Sequence, residues 1–174
     1  MIKYSKGKDW QKCQSFVTIL FMKKKIILGI LIILWLCFIW GHSMQVAEVS
    51  DAESGVFLDF FSKYLPFIPY NDDGMFLVRK AAHFTEYGVL GVLISLEVSC
   101  FVTESFRRFI ESVGMVLSAA FVDETIQLFV EGRSGQVSDM WVDLAGATLG
   151  ILLTIIFQSW FRSGRRQHCQ HRKA

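Results

Sequence analysis

Residues 26–40 read IILGILIILWLCFIW, an unbroken apolar run of fifteen residues. Seven lysines and one acid precede this run, and Gly41 and His42 follow it. Amphipathic helices of soluble domains mix apolar and polar residues, so a continuous apolar run favours insertion into a membrane. A basic segment before such a run is also typical of a secretory signal peptide, but no Ala-x-Ala cleavage site follows here. We therefore predict a retained first transmembrane helix.

Three further apolar segments are as long as a membrane span. They cover residues 76–102, 109–130 and 140–161, each close to the roughly 20 residues that a helix needs to cross the hydrocarbon layer. The connections at 103–108 and 131–139 are short, so consecutive helices are expected to be antiparallel neighbours. The sequence therefore predicts an all-α fold, a four-helix transmembrane bundle.

The apolar segments divide the chain into three parts. Residues 26–161 form the predicted transmembrane domain, between a basic segment at 1–25 and a basic tail at 162–174. Met22 stands before three consecutive lysines and resembles an alternative start of the chain. We assign no function to the residues before it.

The distribution of lysine and arginine predicts the orientation. Seven lysines precede the first span, Arg107 and Arg108 lie between the second and third, and five basic residues follow the fourth. An even number of spans places all three basic segments on one side, which the positive-inside rule assigns to the cytoplasm. We therefore expect a multi-pass membrane protein with both termini in the cytoplasm.

The first outer loop, residues 41–75, is acidic but contains an apolar and aromatic stretch at 56–68. The apolar residues of this stretch recur at helical spacing, and Pro66 and Pro69 are placed to end a helix. A short amphipathic helix next to a span is typical of a segment that lies in the membrane interface. The sequence predicts a short outer interfacial helix here.

Polar and ionisable side chains gather at the outer ends of the predicted spans. Because a charged residue at the bilayer centre costs about 2.5–3.5 kcal/mol to insert, such residues are candidates for function. The second span begins outside, the third ends outside and the fourth begins outside, so their polar groups share one height. The sequence predicts an outward-facing ligand-binding cluster made of Lys80, His83, Glu86, Tyr87, Asp123, Glu124, Gln127, Arg133, Ser134, Asp139 and Asp143.

The same cluster permits other interpretations. Lys80 and Arg133 would neutralise the acids in a structural network, although polar contacts between membrane helices contribute only about 0.6 kcal/mol each. A histidine among carboxylates suits a divalent cation, but there is no His-x-x-x-His or cysteine pair, so we assign no metal ligand and no cofactor. Ser134 lacks an activating base unless His83 reaches it, so no catalytic residue is assigned.

Composition limits the classes of partner. Hydrophobic residues make up 52% of the chain and the mean hydropathy is +0.39, so the lipid bilayer is the main expected partner. No basic patch is interleaved with aromatic residues, which argues against a nucleic-acid partner. The cysteines lie in or next to apolar segments or in the basic tails, so no outer disulfide is expected. An oligomer is compatible with the sequence.

Several segments resemble the VanZ family of bacterial membrane proteins. WGHS at 40–43 resembles the place where the family tends to carry a serine. The other matching segments read KAAHFTEYGVLG at 80–91, DETIQLF at 123–129, GRSG at 132–135 and SD at 138–139, followed by the glycines of the fourth span. The resemblance covers about residues 26–160.

This resemblance implies a protein of the bacterial cytoplasmic membrane. The namesake of the family is associated with resistance to glycopeptide antibiotics, teicoplanin in particular, so a lipid-linked cell-wall precursor or a glycopeptide is an implied partner. The resemblance assigns no biochemical activity. It also implies asparagine in many members where this chain has Asp143, and the additional charge argues against a simple charge-balanced network.

The leading hypothesis is a binding or modulating protein of the cell envelope. In it, Lys80 and Arg133 meet the phosphate of a lipid-linked or surface ligand, Arg133 through two parallel hydrogen bonds. The alternative is an intramembrane metal-dependent hydrolase or transferase acting on an envelope lipid, with His83 or an acid as general base. A transporter is less favoured, because four spans form a thin pathway without oligomerisation.

Overall fold

The computed structural model describes residues 5–64, 69–133 and 137–171. Within these ranges the chain forms five α-helices and no strand, which confirms the all-α prediction. The helices are α1 (Ser5–Ser43), α2 (Ala47–Tyr64), α3 (Asp72–Val98), α4 (Ser105–Gln127) and α5 (Val137–His171).

The helix boundaries differ from the prediction at the termini and in the first loop. Both α1 and α5 continue into the basic flanking segments, since lysine and arginine are good helix formers. Helix α2 begins at Ala47, before the predicted stretch at 56–68. Ser50, Ser54 and Leu58 recur every fourth residue, so they share one face of α2, and that face is buried. Residues 65–68 lie outside the described part of the chain, and the location of α2 on the membrane stays a prediction.

Helix α3 is the central element and contacts the four other described helices. Its closest packing is with α5, where glycines replace side chains. A Cβ atom on Gly146 would lie 2.1 Å from the carbonyl oxygen of Phe84, and one on Gly150 would lie 2.2 Å from that of Gly88. The two backbones approach closely because these positions carry no side chain. This contact brings the first turns of α5 next to the polar half of α3.

The surface of the helix bundle is apolar while part of its interior is polar. Large apolar side chains such as Ile33, Phe121 and Phe157 are exposed. The carboxyl groups of Asp123 and Asp143 are fully buried. Proteins in water expose contiguous apolar area only in limited patches, whereas a helix bundle in lipid places polar groups inward. The arrangement is typical of a membrane protein.

Two helical segments of the described chain are long and apolar enough to cross a membrane, Phe21–Ser43 and Ser138–Phe161. Helices α3 and α4 do not reach the same hydropathy. The residues that lower it include His83 and Glu86 on α3 and Asp123 and Glu124 on α4, the same side chains that the sequence marks as a candidate site. Length and composition therefore support two of the four predicted spans.

Candidate functional site

A cavity of about 110 Å³ opens at one end of the bundle. We call this the cavity end; α1 and α4 finish there, and α3 and α5 begin there. The cavity has room for several water molecules or a small anionic group. Five basic or histidine side chains line it, and Asp139 is the one carboxylate among the described lining residues; the basic set is His42, Arg79, Lys80, His83 and Arg133.

Each element contributes to the cavity because of where it begins or ends. Helix α3 carries Lys80 and His83 three residues apart, so both side chains point to the same side. Helix α4 contributes Gln127 from its last turn, and Asp139 comes from the first turn of α5. Ser50 on α2 lies against the same space, so α2 forms one wall of the cavity.

Two ion pairs occupy the lysine and one arginine of the cavity. The Lys80 ammonium contacts the Asp139 carboxylate, and both side chains are about four-fifths buried. Arg79 Nη1 lies 2.8 Å from Asp51 Oδ1 on α2, and this pair is half exposed. The Lys80–Asp139 pair links the beginnings of α3 and α5, and the Arg79–Asp51 pair links α2 to α3.

Arg133 differs from these two cations. Its Nε and Nη2 atoms are buried and have no hydrogen-bond partner among the described residues. Burial, and then the neighbouring Arg79, lower the pKa of its guanidinium below its usual value. The loop that carries it is held by a hydrogen bond of 3.3 Å from the Ala47 amide to the Glu131 carbonyl. Gly132 has φ +76°, a conformation that favours glycine.

His83 lies between two buried carboxylates. Its Nδ1 atom is 3.3 Å from Asp143 Oδ1 and 3.9 Å from Asp123 Oδ2. The Tyr87 hydroxyl is buried one helical turn further along α3 and faces the same two acids. The cluster lies directly behind the cavity, because His83 lines the cavity while the two aspartates do not.

His42 joins two glutamates at the end of α1. Its Nδ1 atom is 3.2 Å from Glu86 Oε1, and its Nε2 atom is 3.3 Å from Glu53 Oε2 on α2. The Trp35 indole donates a hydrogen bond of 2.9 Å to the backbone carbonyl of Glu86. The Glu86 carboxylate is therefore directed towards His42 on α1.

The remaining predicted residues are buried or lie beyond the described part of the chain. Gln127 donates a hydrogen bond of 3.4 Å to the Ser43 hydroxyl, which joins the ends of α1 and α4. Glu124 is buried and attracts Arg133 electrostatically. Ser134 falls outside the described residues, so its predicted contribution stays a prediction.

Sequence reasoning missed several contributors. The predicted cluster did not include His42 and Ser43, although a histidine and a serine directly after a long apolar run indicate a polar helix end. Arg79 was also left out, although it directly precedes Lys80. The serines of α2 gave no signal, because only packing shows that α2 forms a wall of the cavity.

A model of the VanZ/LLP1 family matches residues 28–158, which is most of the chain. The chain belongs to the VanZ/LLP1 family. The matched region runs from α1 into α5 and therefore includes the whole cavity end of this VanZ-like protein. No curated protein and no solved structure matches the chain. Family membership and the two long apolar helices agree on a membrane protein.

Proposed function

We propose that this VanZ-like protein is a four-span protein of the bacterial cell envelope that binds an anionic head group in its outward-facing cavity. The ligand class is the phosphate group of a lipid-linked cell-wall precursor or of another envelope lipid. Through that ligand the protein would modulate the envelope, with glycopeptide susceptibility, teicoplanin in particular, as one consequence.

The distribution of charge supports the proposed orientation. Lys25 Nζ lies 3.8 Å from the centroid of the Phe101 ring, so the basic start of the first span is next to the α3–α4 loop. Arg107 is exposed at the same end. The cavity lies at the other end of the bundle, which the positive-inside rule would place outside the cytoplasm.

Helices α3 and α4 are compatible with spanning a membrane despite their polar residues. The charged groups of both helices turn inward, where they meet one another, while Phe84 and Val89 on α3 and Phe121 and Val122 on α4 are exposed. Ionisable residues in membrane helices are expected to face the bundle interior or a water-filled cavity. A hydropathy average over the whole helix does not distinguish a polar inner face from an apolar exposed face.

Reporter fusions test the topology. A fusion at Asp72, the first residue of α3, should report exposure outside the cytoplasm, and a fusion after Ala174 should report the cytoplasm. A fusion series that places Asp72 and Ala174 on the same side would contradict the four-span arrangement.

The observation that carries the binding proposal is the Arg133 guanidinium, which keeps two buried nitrogen atoms without a hydrogen-bond partner among the described residues. A guanidinium fork matches two phosphate oxygens with two parallel hydrogen bonds. Its Nε and Nη2 atoms have no protein acceptor among the described residues, and the cavity that it lines is predominantly basic. Leaving such groups buried without a partner is costly, and an anionic ligand would satisfy them.

Binding can be measured with the full chain in nanodiscs by native mass spectrometry, with undecaprenyl phosphate, phosphatidylglycerol and phosphatidylcholine as probes. We expect the two anionic lipids to be retained over the zwitterionic one. Arg133→Ala should weaken that retention by about tenfold or more, because a hydrogen bond to a charged group contributes about 1.5–3 kcal/mol.

The matched control is Arg107→Ala, which removes an exposed arginine at the opposite end, where it pairs with Glu111 at 2.7 Å. This variant should retain lipid as the wild type does. Equal retention by wild type and Arg133→Ala would contradict the proposal. Preference for only one of the two anionic lipids would identify which envelope component supplies the phosphate.

The alternative, a metal-dependent hydrolase or transferase acting on an envelope lipid, is favoured by one observation. His83, Asp123 and Asp143 have the donor set of a metal centre and lie directly behind the cavity. Release of inorganic phosphate from undecaprenyl pyrophosphate by the purified chain would favour this alternative. Retention of the lipid without turnover would favour binding alone.

A further inference from the structure

We propose that His83, Asp123 and Asp143 bind one divalent metal ion at the base of the cavity. This site goes beyond the proposed head-group function, because it involves other side chains than Arg133 and is expected whether or not a lipid binds. It joins three helices, since the ligands come from α3, α4 and α5.

The spacing of the donor atoms suits a single ion. One donor atom from each of the three residues lies within 4.8 Å of the other two. The His83 nitrogen is 3.3 Å and 3.9 Å from the nearest aspartate oxygens. Zinc binds nitrogen and oxygen donors at about 2.0–2.2 Å, so donors of one ion are separated by about 3–4 Å.

The burial of the two carboxylates is the second observation. Both aspartate side chains are fully buried, and none of their four oxygen atoms has a hydrogen-bond partner among the described residues. The Nδ1 atom of His83 is likewise buried without one. Buried charges without partners are rare, because each loses its hydration, and those that persist are paired or coordinate metals.

Apart from His83 itself, no lysine, arginine or histidine among the described residues forms an ion pair with Asp123 or Asp143. Lys80 is engaged by Asp139, and His42 by two glutamates. Arg133 attracts Asp123 electrostatically but forms no ion pair with it in the described part of the chain. When the imidazole is neutral and both carboxyl groups are ionised, the three side chains carry a charge of −2, which a divalent cation would balance.

The donor set indicates which ions would bind. One imidazole with two carboxylates suits a borderline divalent ion such as Zn²⁺ or Mn²⁺, whereas Mg²⁺ prefers oxygen donors and retains its water. Three protein ligands leave coordination positions for water. Because His83 is also part of the cavity wall, an ion can reach the site from the open end.

Metal retention by the full chain in detergent tests the site. The protein is stripped with a chelator, incubated with ZnCl₂ or MnCl₂, desalted and analysed by elemental mass spectrometry and thermal unfolding. The wild type should retain about one ion per chain, as a three-ligand site predicts, and unfold at a higher temperature when loaded.

The variants His83→Ala and Asp143→Asn should retain at least about tenfold less metal than the wild type. Added metal should no longer raise their unfolding temperatures. Asp143→Asn keeps the volume of the side chain and removes its charge. The matched control is Glu131→Gln, an exposed carboxylate at the same end of the bundle, which should retain metal as the wild type does.

The wild type alone also decides the question if a variant fails to fold. Electron paramagnetic resonance of added Mn²⁺ should show a bound ion that Zn²⁺ displaces. Failure of the wild type to retain Zn²⁺ or Mn²⁺, or equal retention by wild type and Asp143→Asn, would overturn the site. Arg133→Ala should keep the ion while losing lipid, so failure of head-group binding is distinguishable from failure of the metal site.

Discussion

Both ends of the bundle bury charged groups, and the clearest difference is between Arg108 at one end and the pair Asp123 and Asp143 at the other. At the end opposite the cavity, Arg108 is buried and its Nη1 atom donates a hydrogen bond of 2.6 Å to Gln158 Oε1 on α5. Gln158 in turn donates to the Ser99 hydroxyl at 3.4 Å. At the cavity end, Asp123, Asp143 and Arg133 keep buried polar atoms without partners among the described residues.

This contrast separates a structural network from a candidate site. A buried polar group that is hydrogen-bonded inside the protein stabilises the packing of its helices, and removing it destabilises the fold. Groups left unsatisfied around a cavity do not stabilise the packing of the helices and are available for a ligand. Substitutions at the two ends should therefore have different effects on stability and function.

The largest effect on stability is expected for Arg108→Ala. The change leaves Gln158 without its charged partner and opens a void, which should lower the free energy of unfolding by about 3 kcal/mol. Thermal unfolding in detergent and membrane abundance measure this effect. Any envelope phenotype should fall in proportion to abundance; a stable Arg108→Ala protein would remove the distinction between the two ends.

Gly146→Ala should have the next largest effect. The added Cβ would lie 2.1 Å from the Phe84 carbonyl oxygen, so α3 and α5 must separate, at a cost of about 1–3 kcal/mol. The separation would also move Asp143 away from His83, so metal retention should decrease.

The control for this variant is Gly114→Ala on α4. A Cβ there meets nothing within 4 Å, so the change should be neutral or stabilising by up to about 1 kcal/mol. Equal unfolding temperatures for the two glycine variants would contradict the close α3–α5 contact.

Arg133→Ala should leave stability nearly unchanged and abolish function. Because its Nε and Nη2 atoms have no partner within residues 5–64, 69–133 and 137–171, their removal should change the free energy of unfolding by less than about 1 kcal/mol. Teicoplanin susceptibility and abundance should be measured in the same strain. Loss of abundance that matches the loss of phenotype would assign the polar cluster at the cavity end to a structural network.

The smallest effect is expected for Arg79→Ala. Its pair with Asp51 is half exposed, and such pairs contribute about 0.2–1 kcal/mol. Lipid retention should weaken less than for Arg133→Ala, since Arg79 is already engaged. If Arg79→Ala weakened lipid retention more than Arg133→Ala does, Arg79 would be the main anion contact in place of Arg133.

Part of the site was predictable because the period of a helix specifies which residues share a face. Lys80 and His83 were expected to lie together, and they line one cavity. In the interpretation of the cluster as a structural network, Lys80 and Arg133 neutralise the acids. Lys80 does pair with Asp139, but Arg133 does not pair with an acid among the described residues, and His83 meets the two buried aspartates.

The amino-acid sequence by itself determined the helical class, the main apolar segments and the height of each polar group along its helix. These follow from apolar run length, from the period of 3.6 residues and from the positions of charges. The tertiary structure decided which polar groups meet. Contact between His83 and Asp143 depends on the rotation and separation of α3 and α5, which the close approach at Gly146 and Gly150 sets. Side-chain spacing within one helix carries no information about that approach, because it depends on packing between helices.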